Sequence, residues 1–228
     1  MSYFYSYGPY AIAVLLAIVI ALYTWQRSRL ISLIVLSWVA LAVIVGQFSF
    51  FPGVLKWQDS DWLGFTLFGI LSFTPALIMT FASVYLIKFK RFLKEIPVSA
   101  LILTQTYRIG GVFLLMSYSY NLLPLSVGLV SGVMDVFVAI TAVILGIYIL
   151  NDENKAPRLV ISWAVISLLD FVWAVIVIFT SFLGIIDIHP DPIQIGNPPL
   201  LIISLFSMPL GIFISIYVIG RMKKELKR

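Results

Sequence analysis

The sequence predicts an all-α, polytopic membrane protein with seven transmembrane helices, and three observations carry that prediction. Of its 228 residues 61% are apolar and only 11% charged, and the mean hydropathy is +1.07; soluble domains hold roughly 45–50% apolar and about 25% charged residues. Seven apolar segments approach the roughly 20 residues that a helix needs to cross a hydrocarbon core. The basic residues gather in alternate connections between those segments, as expected when basic loops stay cytoplasmic.

The first span is placed at 8–26, where an unbroken apolar run ends at Arg27 and Arg29. No basic residue precedes it, so it reads as a retained anchor and not as a cleavable signal peptide. Tyr3, Tyr5, Tyr7 and Tyr10 before and at its start fit an interfacial aromatic belt. The second and third spans are placed at 30–51 and 62–87, followed by a basic loop with Lys88, Lys90, Arg91 and Lys94. Pro97 opens the fourth span, 97–119, and Leu123-Pro124 precedes the fifth, 125–150. Lys155, Pro157 and Arg158 introduce the sixth, 157–185. After a proline-rich loop comes the seventh, 198–220, with a tail carrying Arg221, Lys223, Lys224, Lys227 and Arg228. Of the basic residues, only Lys56 is left for the other side and Arg108 for a span interior. The expected orientation is therefore N-terminus outside and C-terminus cytoplasmic, in the cell (cytoplasmic) membrane. The lipid bilayer is the expected partner, with other membrane subunits or a homo-oligomer also open, and nucleic acid is not expected.

The chain reads as one transmembrane domain, 1–228, with a 3+1+3 parallel repeat suggested inside it. At an offset of 132, Ala42-Val43-Ile44-Val45 with Ser49-Phe50 matches Ala174-Val175-Ile176-Val177 with Ser181-Phe182. At the same offset Phe81, Ser83, Tyr85 and Ile87 match Phe213, Ser215, Tyr217 and Ile219. Spans one to three (8–87) and five to seven (125–220) would run parallel, and linker span four (97–119) supplies the extra crossing that a parallel repeat requires.

Three charges lie inside spans: Arg108, Asp135 and Asp170. At 1.5 Å per residue they sit about 16, 14 and 19 Å from the starts of their spans, all near mid-membrane. Three such groups facing lipid would oppose insertion by about 8–10 kcal/mol, so they are expected to face the bundle and one another. Gly128, Gly132, Asp135, Ala139, Ala142 and Gly146 form one face of span five, and Trp163, Ser167, Asp170 and Ala174 one face of span six. Small faces allow close helix approach in lipid, so the aspartates are expected in one seam, with Gly128, Gly132, Ala139, Ala174 and Gly211 as packing residues. Thr104, Arg108 and Gly111 are expected to share a face of span four, with Gln105 beside it. The intramembrane polar site is thus predicted as Arg108, Asp135, Asp170, Gln105, Thr104 and Ser167. Two carboxylates and one guanidinium leave one carboxylate without a full partner, which is the chemistry of a site that holds an exchangeable proton.

Gln105-Thr106-Tyr107-Arg108-Ile109-Gly110-Gly111, Leu123-Pro124, Gly132-Val133-Met134-Asp135 and Trp163 with Leu169-Asp170-Phe171-Val172 together resemble a group of uncharacterised prokaryotic multi-pass membrane proteins of about seven helices. The resemblance covers roughly residues 105–175. The group often carries Gly in place of Met134 and a His in its last helix, where this chain has Ile and Ser. It supports Arg108, Asp135 and Asp170 as a set and implies no particular reaction.

Other chemistries find little. With no Cys and only His189, thiolate clusters and bis-histidine haem are excluded. Asp187, His189 and Asp191 with Asp59 and Asp61 hold metal-donor types without metal-site spacing, and read as a stiff turn. Gly132-x-x-Asp135 plus Asp170 resembles intramembrane aspartyl proteases only remotely, because Met134 breaks the motif and Arg108 would quench the pair. No Lys precedes Lys223 in span seven to hold retinal. No catalytic residues, metal site or cofactor are assigned. The expected role is a small-solute or ion transporter or sensor with a protonatable Asp/Asp/Arg site. The rival is a non-catalytic subunit of a larger membrane complex.

Overall fold

The computed structural model describes residues 3–47 and 62–226. Ser49, Phe50, Lys56, Asp59, Asp61, Lys227 and Arg228, on which some sequence expectations rest, lie outside those residues. Helices α1 (Tyr3–Trp25) and α2 (Arg29–Gln47) form an antiparallel hairpin, followed by α3 (Trp62–Tyr85) and the short α4 (Ile87–Glu95). The fourth crossing is composite: α5 (Val98–Thr104), a 3-10 stretch (Gln105–Gly110) and α6 (Gly111–Ser119). A π turn (Leu125–Leu129) leads into α7 (Val130–Tyr148), and α8 (Pro157–Phe182) follows. A 3-10 turn (Pro192–Gly196) and a second π turn (Ile203–Ser207) precede α9 (Met208–Glu225).

Among the described residues seven helical segments are long and apolar enough to span a membrane, so the protein is an integral, polytopic helical membrane protein. Its outer surface carries Leu, Ile, Val and Phe at high exposure, such as Leu22, Leu77, Phe81, Ile144 and Ile147, which only lipid covers favourably. Burial separates centre from rim: the fourth and seventh crossings bury 56% and 61% of their apolar windows, the second and third only 22% and 17%. α7 packs along the fourth crossing on one side and α8 on the other, while α9 lies between α8 and α3.

Three segments differ from the sequence expectation. α1 begins at Tyr3 instead of residue 8, and its tyrosines divide by face: Tyr3 and Tyr7 are exposed, while Tyr5 and Tyr10 point inward. Tyr5 Oη bonds Ser117 Oγ at 2.9 Å and Tyr10 donates to the Gly46 carbonyl at 3.1 Å, so these two serve helix packing. The basic loop after α3 folds into α4, whose Phe92 and Leu93 are buried while Lys88, Lys90, Arg91 and Lys94 remain exposed. That pattern suits a helix lying in the interface. The last crossing starts later than residue 198 and runs to Glu225, beginning with the π turn Ile203–Ser207. Pro209 has no N–H to offer the Leu205 carbonyl four residues earlier, and the Trp38 indole donates to that carbonyl at 3.0 Å instead.

Residues matched at the 132 offset lie in different surroundings: Phe81 is exposed and Phe213 buried, Ser83 half-buried and Ser215 buried, Tyr85 exposed and Tyr217 half-buried. We retain the repeat as a proposal about how the chain runs, not about how its faces pack.

Candidate functional site

The site is built on a backbone irregularity. In an α-helix Thr104 and Arg108, four apart, would share a face, as expected from the sequence. Residues 105–110 instead form a 3-10 turn, in which positions three apart eclipse. Gln105, Arg108 and Gly111 therefore align, and Thr104 falls out of the site: its hydroxyl donates to the Ala100 carbonyl of its own helix at 2.8 Å.

Arg108 is 2% exposed. Its Nε donates to Asp135 Oδ1 on α7 and its Nη2 to Asp170 Oδ2 on α8. Nη1 donates to Ser167 Oγ at 2.7 Å and to the Ser167 carbonyl at 3.1 Å. The guanidinium carbon lies 4.2 Å from the centroid of the Phe171 ring, which gives the flat cation an aromatic face. Ser167 Oγ continues to Ser215 Oγ on α9 at 3.2 Å. Gln105 Nε2 donates to the Gly211 carbonyl at 3.1 Å and lies 3.5 Å from Ser215 Oγ. Arg108, Asp135, Asp170, Ser167 and Gln105 thus form one polar chain through four crossings.

The chain is not fully satisfied. Asp170 Oδ1 and Gln105 Oε1 are buried without a hydrogen-bond partner. Ser131, whose hydroxyl also lacks a well-formed bond, lies beside the Asp170 carboxylate. Buried polar atoms left unpaired are costly, so these orphans need explaining.

Close backbone approach holds the arrangement together. A Cβ on Gly111 would lie 2.4 Å from Asp135 Cβ and 2.7 Å from the Gly132 carbonyl, so only glycine lets α6 meet α7 here. The small face of α7 therefore serves the fourth crossing more than a seam with α8: Gly128 faces Tyr118 and Leu123, Gly132 faces Leu115, and Gly146 faces Leu103. Ala139 is buried. Gly211 makes room for Tyr107 and Phe171, and Tyr107 Oη donates to the Ser207 carbonyl at 2.6 Å. Ala174 lines a cavity. Tyr107, Phe171 and Ser131 were not among the predicted site residues; Tyr107 and Phe171 stood in the motifs that carry the resemblance, and Ser131 had only its position one turn from an intramembrane charge.

That cavity measures about 480 Å³ and lies between α3, α7, α8 and the lead-in to α9, with Ile195 of the 192–196 turn in its wall. Its walls are apolar, among them Phe65, Ile178 and Phe179, and its floor holds Asp135, Asp170, Ser131 and Ser204. Arg108 does not line it. The Asp135 side chain is 12% exposed and that of Asp170 2%, so the floor is reached through the carboxylates with the guanidinium behind them. An aspartyl-protease dyad has two carboxylates sharing a proton across the reaction centre; here a guanidinium binds both, a different arrangement. His189 and Asp187 lie 3.1 Å apart on the surface, and among the described residues no group of three or more metal-ligating side chains is assembled.

At the end where the basic connections gather, a second arginine ties three elements. Arg221 donates to Glu153 Oε2 at 2.9 Å and to the Ile96 carbonyl at 2.6 Å. Glu153 Oε1 accepts the Val98 N–H at 2.8 Å, capping the otherwise orphaned first amide of α5.

The chain matches no curated protein and no solved structure. A family model described as a domain of unknown function, DUF8737, matches residues 65–222. The match runs from α3 to α9, takes in every residue of the charge chain and its cavity, and leaves out the α1–α2 hairpin; the chain belongs to that family.

Proposed function

We propose that the protein moves or senses a small solute or ion across the membrane, coupled to a proton held by the Asp135/Asp170 pair. The observation that carries this reading is a cavity whose floor is formed by two carboxylates sharing one guanidinium. With both aspartates ionised the cluster bears a net charge of −1, and a single proton neutralises it. Ionisable residues at mid-membrane are expensive and mark transport paths by default, and a cavity lined by both carboxylates gives a solute a place beside them. A purely structural subunit would gain nothing from leaving Asp170 Oδ1 unpaired beside such a cavity. Toward the other end, Ser167, Ser215 and Gln105 extend the polar chain, and Arg221 stands six residues beyond Ser215, about 9 Å of helix rise.

The basic end is read as cytoplasmic, which puts the N-terminus and the 192–196 turn outside the cell membrane. A reporter fused after Arg228 is expected to label as cytoplasmic and one inserted near Asp191 as external; the reverse labelling overturns the orientation. The proton is tested by infrared difference spectroscopy of the protein in lipid nanodiscs during a pH titration. A protonated-carboxyl C=O band is expected at neutral pH, absent in Asp135→Asn and in Asp170→Asn. No such band in the wild type, or a band unchanged in both variants, overturns the reading.

A further inference from the structure

The cavity beside the cluster constrains what it can hold. Its volume, about 480 Å³, lies within the roughly 300–1,000 Å³ of small-molecule sites and far exceeds what a bare ion needs. An inorganic cation would want oxygen ligands on all sides, but here oxygens gather on the floor, and the walls are chiefly apolar, with Phe65, Phe73, Val175, Ile178, Phe179 and Met208. A polyhydroxylated solute would leave its hydroxyls unpaired against those walls. An anion would meet two carboxylates. The floor instead lacks one positive charge: Asp135 and Asp170 share a single guanidinium, and Asp170 Oδ1 has no donor in well-formed hydrogen-bond geometry, with the Ser131 hydroxyl beside its carboxylate.

We propose that the cavity binds a protonated organic amine with an apolar body, its N–H groups on the Asp135 and Asp170 carboxylates and its hydrocarbon among the phenylalanines. This rests on the proton-exchange reading of the pair and names its solute class. The amine takes the place of the exchanged proton: when the pair releases H+ to water, the net −1 floor accepts one monocation, and the return of a proton expels it. Charge balances at one for one. Aromatic walls add to the attraction for the cation.

The test uses the full chain in lipid nanodiscs with three probes that share one benzyl–octyl skeleton: radiolabelled N-benzyloctylamine, benzyl octyl ether, and N-benzyl-N,N-dimethyloctylammonium. Empty nanodiscs correct for partition into lipid. The amine is expected to bind saturably, one per chain, about tenfold or more tighter than the neutral ether or the quaternary ion, which lacks an N–H. Asp170→Asn is expected to weaken it by about tenfold or more. Gly69 lines the cavity, and a Cβ there meets nothing within 4 Å, so Gly69→Phe brings a bulky ring to the cavity wall from α3, a helix that supplies none of the cluster's residues. It should abolish amine binding and leave the infrared carboxyl band in place. Added amine should remove that band in the wild type. Equal binding of ether and amine would mean a lipid-like apolar slot and overturns the proposal, as does absence of saturable amine binding or its survival in Gly69→Phe. If the carboxyl band titrates but the amine does not bind, the solute class is wrong and proton exchange stands; if the band too is absent, both fall.

Discussion

Arg108 and Arg221 each bind a carboxylate, yet their surroundings are opposite. Arg108 sits midway along its crossing with a side chain 1% exposed, and its partners Asp135 and Asp170 come from two other helices. Arg221 sits in the last turns of α9, 22% exposed, against a Glu153 that is 28% exposed. Water can replace either partner of the second pair, and such part-exposed bridges contribute about 1 kcal/mol or less. Nothing can replace the carboxylates around Arg108, because guanidinium does not deprotonate. The same pair chemistry is thus optional at the membrane surface and obligatory at its centre.

The comparison is broken most severely by stranding the buried cation. The double change Asp135→Asn with Asp170→Asn should lower stability by about 3–5 kcal/mol, read as thermal unfolding in detergent. Arg108→Leu should be milder, because both remaining carboxyls can take up protons. Equal losses would mean that the three side chains do not act as one unit.

A smaller effect tests how the cluster is positioned. Gly111→Ala places a methyl group where Asp135 Cβ and the Gly132 carbonyl already lie, so α6 and α7 must separate. A loss of about 1–3 kcal/mol is expected, together with a shift of the infrared carboxylate bands. An unperturbed variant would show that close approach at Gly111 does not set the cluster.

Glu153→Gln should be the mildest change. It removes the charge but keeps an oxygen for the Val98 amide, so stability should fall by about 1 kcal/mol or less. In about 1 M salt, where screening acts within about 3 Å, wild type and variant should converge in thermal scans. The deficit of the double aspartate variant should largely persist in that salt, because a buried charge is screened far less than an exposed one.

The same contrast accounts for what the sequence revealed. The spans were legible because apolar runs of membrane length have few other uses, and Arg108, Asp135 and Asp170 stood out because charge is rare inside them. Glu153 and Arg221 carried no such signal, since a charged residue in a loop or tail is ordinary. α4 was legible in principle: Phe89, Phe92, Leu93 and Ile96 recur at helical spacing, but the run of basic residues masked it. Thr104 was misplaced because regular helical spacing was applied across a 3-10 turn, and the partner of the small face on α7 could not be read without tertiary contacts.

The central claim is that Arg108, Asp135 and Asp170 form one electrostatic unit at the cavity floor. The most direct measurement is the thermal stability of the triple variant Arg108→Leu/Asp135→Asn/Asp170→Asn beside the double aspartate variant. Replacing a whole buried charge set is often neutral, whereas removing part of it is not. Adding Arg108→Leu to the destabilised double variant should therefore restore stability to at least that of Arg108→Leu alone. A triple variant as unstable as the double, or less stable, would contradict the claim.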